Sequence, residues 1–260
     1  MKERVDGIIL VLSCQKHLNT RLTQCKLPKD KYGEWKVLYV IADLLLDSEY
    51  KVEGNMITIK CEDSYIHLLK KLVLALKCVY NIYDIKEGIL RSGDDLIFNE
   101  NILNSFLSLQ NKPDFFGKSP LQKSLLEKDI TPMLLKKTRY DDFMLKYYLS
   151  HKEDFNNPQH NLKDIDIAKY TKRPEISIGP AGVLFYISNK CCKILIEHLE
   201  KINYNIFHLD EFTQSYPYTI EDCAVSFILY MNKIQFIHNE YIYSNYPVNN
   251  VIAYHTNLYK

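Results

Sequence analysis

Gly88-Ile89-Leu90-Arg91-Ser92-Gly93-Asp94-Asp95-Leu96-Ile97-Phe98 is the stretch on which the reading of this chain turns. A short apolar run ends in two adjacent carboxylates, and a second apolar run follows at once. Carboxylates at the end of a buried strand are costly to desolvate unless something neutralises them, and a divalent cation is a common partner. On spacing alone, the same pair also suits a solvated turn. The surrounding chain has to decide between the two.

Working outward, residues 5–13 and Trp35–Ala42 are aliphatic runs of the kind that buried parallel strands need, and residues 56–60 read as a shorter third strand. Cys61-Glu62-Asp63-Ser64 predicts a helix start capped by Asp63 or Ser64, with Tyr65, Leu68, Leu69, Leu72, Leu76, Val79 and Tyr80 at helical spacing. Residues 99–110 predict a second amphipathic helix and residues 115–117 a short strand. This alternation of strand and helix is the pattern of an α/β fold built on a parallel sheet.

Residues 118–176 are polar and rich in Lys and Asp, broken by apolar-aromatic pieces such as residues 143–149. They predict one or two helices joined by loops, a candidate wall facing a substrate. Regular patterning returns at Ile178-Gly179-Pro180-Ala181-Gly182. A strand over residues 183–187 and a helix capped by Ser188 or Asn189 follow it. Thr219-Ile220-Glu221-Asp222 opens another helix, residues 233–238 form a last strand, and a tail over residues 248–260 carries His255.

Ligands in such sheets sit beyond the carboxyl ends of the strands. That makes Arg21 a candidate diphosphate or base contact, Asp43 a candidate contact to base or ribose, and Lys71 a cation within reach of the same place. The totals bound the partners. With 47% hydrophobic and 25% charged residues in 260, the chain is globular rather than disordered. A net charge of +1 gives no bulk attraction to nucleic acid or a membrane surface, so any phosphate binding must be local. The seven cysteines lack a Cys-x-x-Cys pair and read as reduced thiols, with no zinc-finger spacing. The apolar run at residues 7–12 is too short for a membrane span or a signal peptide. The expectation is a soluble, cytoplasmic protein.

In order, these segments resemble the β-1,3-galactosyltransferase and Fringe-like glycosyltransferases, inverting enzymes of GT-A fold. Val11-Leu12-Ser13 with Arg21 resembles the family's first strand and nucleotide-facing arginine. Asp63-Ser64-Tyr65-(x)2-Leu68-(x)2-Lys71 resembles its D-S-Y-x-N-L-x-x-K pattern, with His67 in place of Asn. Gly93-Asp94-Asp95 resembles the D-D-D strand end, and Gly179-Pro180-Ala181-Gly182-Val183 with Ile187-Ser188 the G-x-G-Y-x-x-S segment. Glu221-Asp222 resembles E-D-V, and His255 the histidine near the C-terminus.

The resemblance implies a Rossmann-like, mostly parallel central sheet flanked by helices in one GT-A domain over residues 1–260. Residues 1–117 would bind the nucleotide sugar, and residues 118–260 would bind the acceptor and carry catalysis. It implies transfer from a nucleotide-sugar donor, a UDP-sugar first, to a hydroxyl of a glycan or glycoprotein. Asp222 would be the base, with Glu221 shaping the acceptor pocket. Asp95 and His255 would hold Mn²⁺ or Mg²⁺, with His238 the rival ligand and the tail around His255 closing as a lid. Ser13, Arg21, Asp43, Lys71, Asp94 and Gly182 would bind the donor.

Two features depart from the family. Gly93 stands where the first aspartate is usual, and the chain has neither a membrane anchor nor a cysteine-rich lumenal character. The second departure suggests a soluble bacterial or viral member, in the host cytoplasm if viral. Two other readings stay open: an inactive nucleotide-sugar-binding module, kept alive by Gly93, and a metal-dependent phosphoesterase, which predicts a second cluster of metal ligands.

Overall fold

Strand β1 (Glu3–Leu12) lies inside a nine-stranded sheet in a computed structural model that describes residues 2–120 and 132–256. Its side chains alternate between faces: Ile8, Leu10 and Leu12 enter one apolar cluster, and Ile9 and Val11 enter the other. A strand covered on both sides has to be apolar at almost every position, which is why residues 7–12 carry no charge.

The sheet is parallel at its centre. β1 pairs with β3 (Trp35–Ala42) and β6 (Tyr83–Ser92), and β3 pairs with β5 (Met56–Ile59). Antiparallel strands extend the margins: β2 (Lys31–Tyr32) on β3, β4 (Tyr50–Glu53) on β5, and β11 (Leu184–Ser188) on β6. β8 (Phe115–Gly117) lies antiparallel to β11, and β12 (Phe236–His238) parallel to β8. Two small sheets stand apart, one of β9 (Thr138–Tyr140) with β10 (Lys172–Pro174). The other is β13 (Tyr243–Ser244), β14 (Ala253–His255) and β7 (Leu96–Phe98).

The helices are α1 (Arg21–Gln24), α2 (Leu68–Ile82), α3 (Glu100–Leu107), α4 (Pro132–Leu135), α5 (Asp142–Ser150), α6 (Lys152–Phe155), α7 (Ile167–Tyr170), α8 (Asn189–Lys201) and α9 (Glu221–Met231). α2, α8 and α9 cover one face of the sheet through Leu72, Leu195 and Ile228, among others. α3 covers the other through Leu103 and Phe106. The α/β class, with a mostly parallel central sheet flanked by helices, is therefore as the sequence predicts. Among the described residues no helix is long and apolar enough to cross a membrane.

Several boundaries differ from the sequence expectation. α2 begins at Leu68, because Ser64 hydrogen-bonds with His67 Nδ1 at 2.6 Å and the Asp63 carboxylate is taken by Lys71 and the Gln15 amide. Asp63 is not left to cap the helix, while Ser64 Oγ accepts from His67 N at 3.3 Å just ahead of its first turn. Asn99 and Ser188 do cap α3 and α8, accepting from Ile102 N and Cys191 N. The strand around Ile89 extends back to Tyr83, and β4, mostly exposed, has no apolar signal to read. Residues 118–176 fold into the short helices α4–α7 and the β9–β10 pair, while residues 121–131 of that segment lie outside the described residues. The tail is strand β14 at His255, and its last four residues, 257–260, also lie outside them.

Leu10 is fully buried in the middle of β1. Leu10→Ala is expected to cost about 2–5 kcal/mol in urea unfolding, whereas Leu45→Ala, at a position 76% exposed, should stay within about 0.5 kcal/mol of wild type.

Candidate active site

Strand direction assembles the site. β1 and β6 are parallel neighbours with Val11 opposite Ser92, so both open at the same edge. There Ser13 Oγ donates to Asp94 Oδ2 at 2.7 Å. β11 runs the other way, with Leu184 opposite Ser92, and therefore starts where β6 ends. Gly93 N donates to Val183 O at 2.9 Å, which brings Gly182 to the same edge. β14 pairs with β7, setting His255 opposite Leu96, and Thr256 N donates to Asp95 O at 3.0 Å. The end of the described chain thus returns to Asp95, with His255 Nδ1 3.6 Å from its Oδ2.

The result is a cleft of about 720 Å³ whose lining includes Ser13, Arg21, Lys71, Asp94, Asp95, Gly182, Asp222 and His255. Asp43 is not in that lining; its Oδ1 accepts from Leu45 N and Gln159 Nε2, each at 3.0 Å. His238 also lies elsewhere, accepting from Ser119 N at 3.0 Å with Glu240 3.9 Å away.

The two adjacent aspartates have different environments. Asp94 is 7% exposed and fully engaged, by Ser13, by His17 Nδ1 at 2.7 Å and by Arg21 Nη1 at 3.5 Å. Burial alone would raise its pKa, but the hydrogen bonds from His17 and Ser13 and the nearby positive charges hold it below the ordinary carboxylate value. Burial alone would likewise lower the pKa of His17; the bond to Asp94, helped by Cys14, outweighs that and pushes it up to about 9. His17 is therefore an imidazolium at neutral pH.

Asp95 is more open, its side chain 30% exposed, with Arg21 Nη1 at 3.8 Å. A carboxylate oxygen and an imidazole nitrogen this close could reach one divalent cation, and the carboxylate is the donor that suits Mn²⁺ or Mg²⁺. Among the described residues no group of three or more His, Cys, Asp or Glu side chains could hold a metal ion together. Asp95 and His255 would supply only two ligands to an ion, leaving the rest of its shell to other groups. A β-carbon on Gly93 would stand 3.1 Å from Asp95 Oδ1, so glycine at this position leaves room for that carboxylate.

Lys71 is 2% exposed and donates to Asp63 Oδ1 at 2.6 Å and to Ser13 O at 2.7 Å. Asp63 also accepts from Gln15 N at 2.7 Å. Lys71 thus ties the start of α2 to the end of β1.

Across the cleft, Arg91 of β6 is 2% exposed and grips Glu221, with Nε 2.9 Å from Oε1 and Nη2 donating to Oε2 at 3.1 Å. Its Nη1 donates to Gly182 O at 2.5 Å. Burial pushes the Glu221 carboxyl up to about 7, against the opposing pull of Arg91 and with a further push from Asp222. Asp222 accepts from Gly182 N at 2.9 Å and from Cys223 N at 2.7 Å. A β-carbon at Gly182 would lie 3.1 Å from Glu221 Oε2 and 3.3 Å from Asp222 Cβ, so this close approach depends on glycine.

Sequence reasoning did not assign His17 or Arg91 to the site, and it placed Phe143 only within a segment expected to face a substrate. A charge inside the apolar run Ile89-Leu90-Arg91 was a readable signal for a buried partner. His17 carried none, since its position depends on a loop that meets Asp94 only in the fold.

The apo crystal structure of mouse xyloside xylosyltransferase 1 is similar to this chain over 98% of each chain, with 9% sequence identity and a TM-score of 0.43. At that level the likeness says nothing about activity. No protein-family model matches the chain, and no curated protein sequence matches it.

His17 binds its proton more tightly folded than unfolded. The stability gained from its contact with Asp94 is therefore full below about pH 6.5 and lost as pH rises through about 9. Melting temperatures of wild type and His17→Gln should converge over that window; a constant gap would contradict the assignment.

Proposed function

We propose that this chain is a metal-assisted, inverting glycosyltransferase of GT-A type. It would move a sugar from a nucleotide-sugar donor, a UDP-sugar first, to a hydroxyl of a glycan or glycoprotein. One observation carries the reading: Asp94-Asp95 and Glu221-Asp222, far apart in sequence, line one cleft at the carboxyl edge of the sheet, where Arg91, on the strand that leads into Asp94-Asp95, pairs with Glu221. Such an edge is where α/β sheets bind ligands.

Arg21, beside both Asp94 and Asp95, is placed to meet a diphosphate, and the His17 imidazolium adds positive charge on the same side. Ser13 and Asp94 hold these cations in position. Asp95 and His255 would hold Mn²⁺ or Mg²⁺, which when bound supplies Lewis acidity to the leaving diphosphate. Glu221 is tied to Arg91 and positions its neighbour. Asp222 lines the cleft, and its oxygens keep lone pairs beyond the two backbone bonds they accept. It is the group that can take the proton of the acceptor hydroxyl on the face opposite the leaving group.

With Mn²⁺ and a panel of UDP-sugars and acceptors, wild type is expected to release UDP. Asp222→Asn should lower that rate by roughly 10²–10⁴-fold while still binding UDP. A chain that binds UDP without turnover across the panel would instead be a nucleotide-sugar-binding module.

A further inference from the structure

The cleft has an aromatic wall that the proposed chemistry leaves without a role. Tyr65 and Phe143 are 48% and 66% exposed, yet both line the cleft. Their rings meet edge-on at 6.2 Å, and Tyr65 lies a further 6.2 Å from Tyr147. These rings are braced from behind. Tyr147 stacks on His151 at 4.4 Å, and its hydroxyl bonds Asp154. The hydroxyl of Tyr148 accepts from Ile66 N at 3.0 Å, fixing the residue next to Tyr65 against α5. Phe143 sits in the first turn of α5, where Asp141 caps Met144 N at 2.9 Å and pairs with Arg173 Nε at 3.2 Å. Large apolar rings packed against one another and open to a cleft form a binding surface.

Asp222, the carboxylate assigned as base, lines the same cleft as Tyr65 and Phe143. What belongs beside that base is a molecule carrying a nucleophilic hydroxyl. What fits a flat, electron-rich ring face is an apolar C–H surface. One face of a pyranose offers such a surface while its hydroxyls point outward, and His160 on the cleft lining can meet one of those hydroxyls.

We propose that Tyr65 and Phe143 form the subsite for a pyranose ring of the acceptor, so that the acceptor is a saccharide rather than a bare protein hydroxyl. This deepens the transferase reading and rests on it.

The test is saturation-transfer NMR on the full chain with methyl β-D-xylopyranoside, methyl β-D-glucopyranoside and methyl β-D-galactopyranoside, alongside calorimetric titration with UDP. Wild type is expected to bind at least one glycoside. Phe143→Ala should weaken it about tenfold or more, and Phe143→Tyr should restore it, with UDP affinity the same in all three. The proposal is overturned if wild type binds none of the glycosides, or if Phe143→Ala binds them as wild type does. It is overturned equally if Phe143→Ala loses UDP in parallel, which would make the wall a nucleobase platform. Glycoside binding through Phe143 in a chain that never turns over a UDP-sugar would keep this subsite and reject the transferase.

Discussion

A guanidinium buried in the middle of a β-sheet must be matched, and the pairing of Arg91 with Glu221 is the constraint on which the site depends. Arg91 cannot shed its charge, and removing one partner from such a buried pair costs about 3–5 kcal/mol. The chain satisfies Arg91 by bringing the first residue of α9 to the end of β6 and by turning the Gly182 carbonyl toward the same guanidinium. Three segments distant in sequence are thereby fixed to one another. Asp222 follows Glu221 and takes its place from that anchoring, with Gly182 N completing the hold.

The Asp94-Asp95 pair shows how adjacent residues on a strand end divide two tasks. In the bend between β6 and β7, Asp94 is buried against Ser13, His17 and Arg21, which neutralise it, and the more open Asp95 lies beside His255. Asp94 holds His17 and Arg21 in position at the cleft. Asp95 remains available to an ion. A third carboxylate at Gly93 would crowd the one that is available, so the glycine is compatible with a working site.

Much of this was legible in the sequence, because the signals were local. The apolar runs at residues 7–12 and 37–42 read as buried strands, and parallel strands place their carboxyl ends together. That is enough to gather Ser13, Asp94 and Asp95 at one edge. The nearness of His255 to Asp95 follows from the β7–β14 register, which no local pattern announces. Asp63 looked like a helix cap, but a buried lysine eight residues on and the Gln15 amide compete for its oxygens and win. Asp43 reads as a strand-end ligand, yet it is held by Gln159 from the segment that was hardest to read. Where a residue's role depends on a partner more than a hundred positions away, periodicity and spacing carry no information about it.

The central claim is that this edge of the sheet is a nucleoside diphosphate site organised by Asp95 and His255. Calorimetric titration of UDP into wild type and Asp95→Asn, each with and without Mn²⁺, tests it most directly. The account predicts that Mn²⁺ tightens UDP binding by at least about tenfold in wild type and has little effect in Asp95→Asn. Absence of UDP binding in wild type under both conditions, or an undiminished Mn²⁺ effect in the variant, would contradict it.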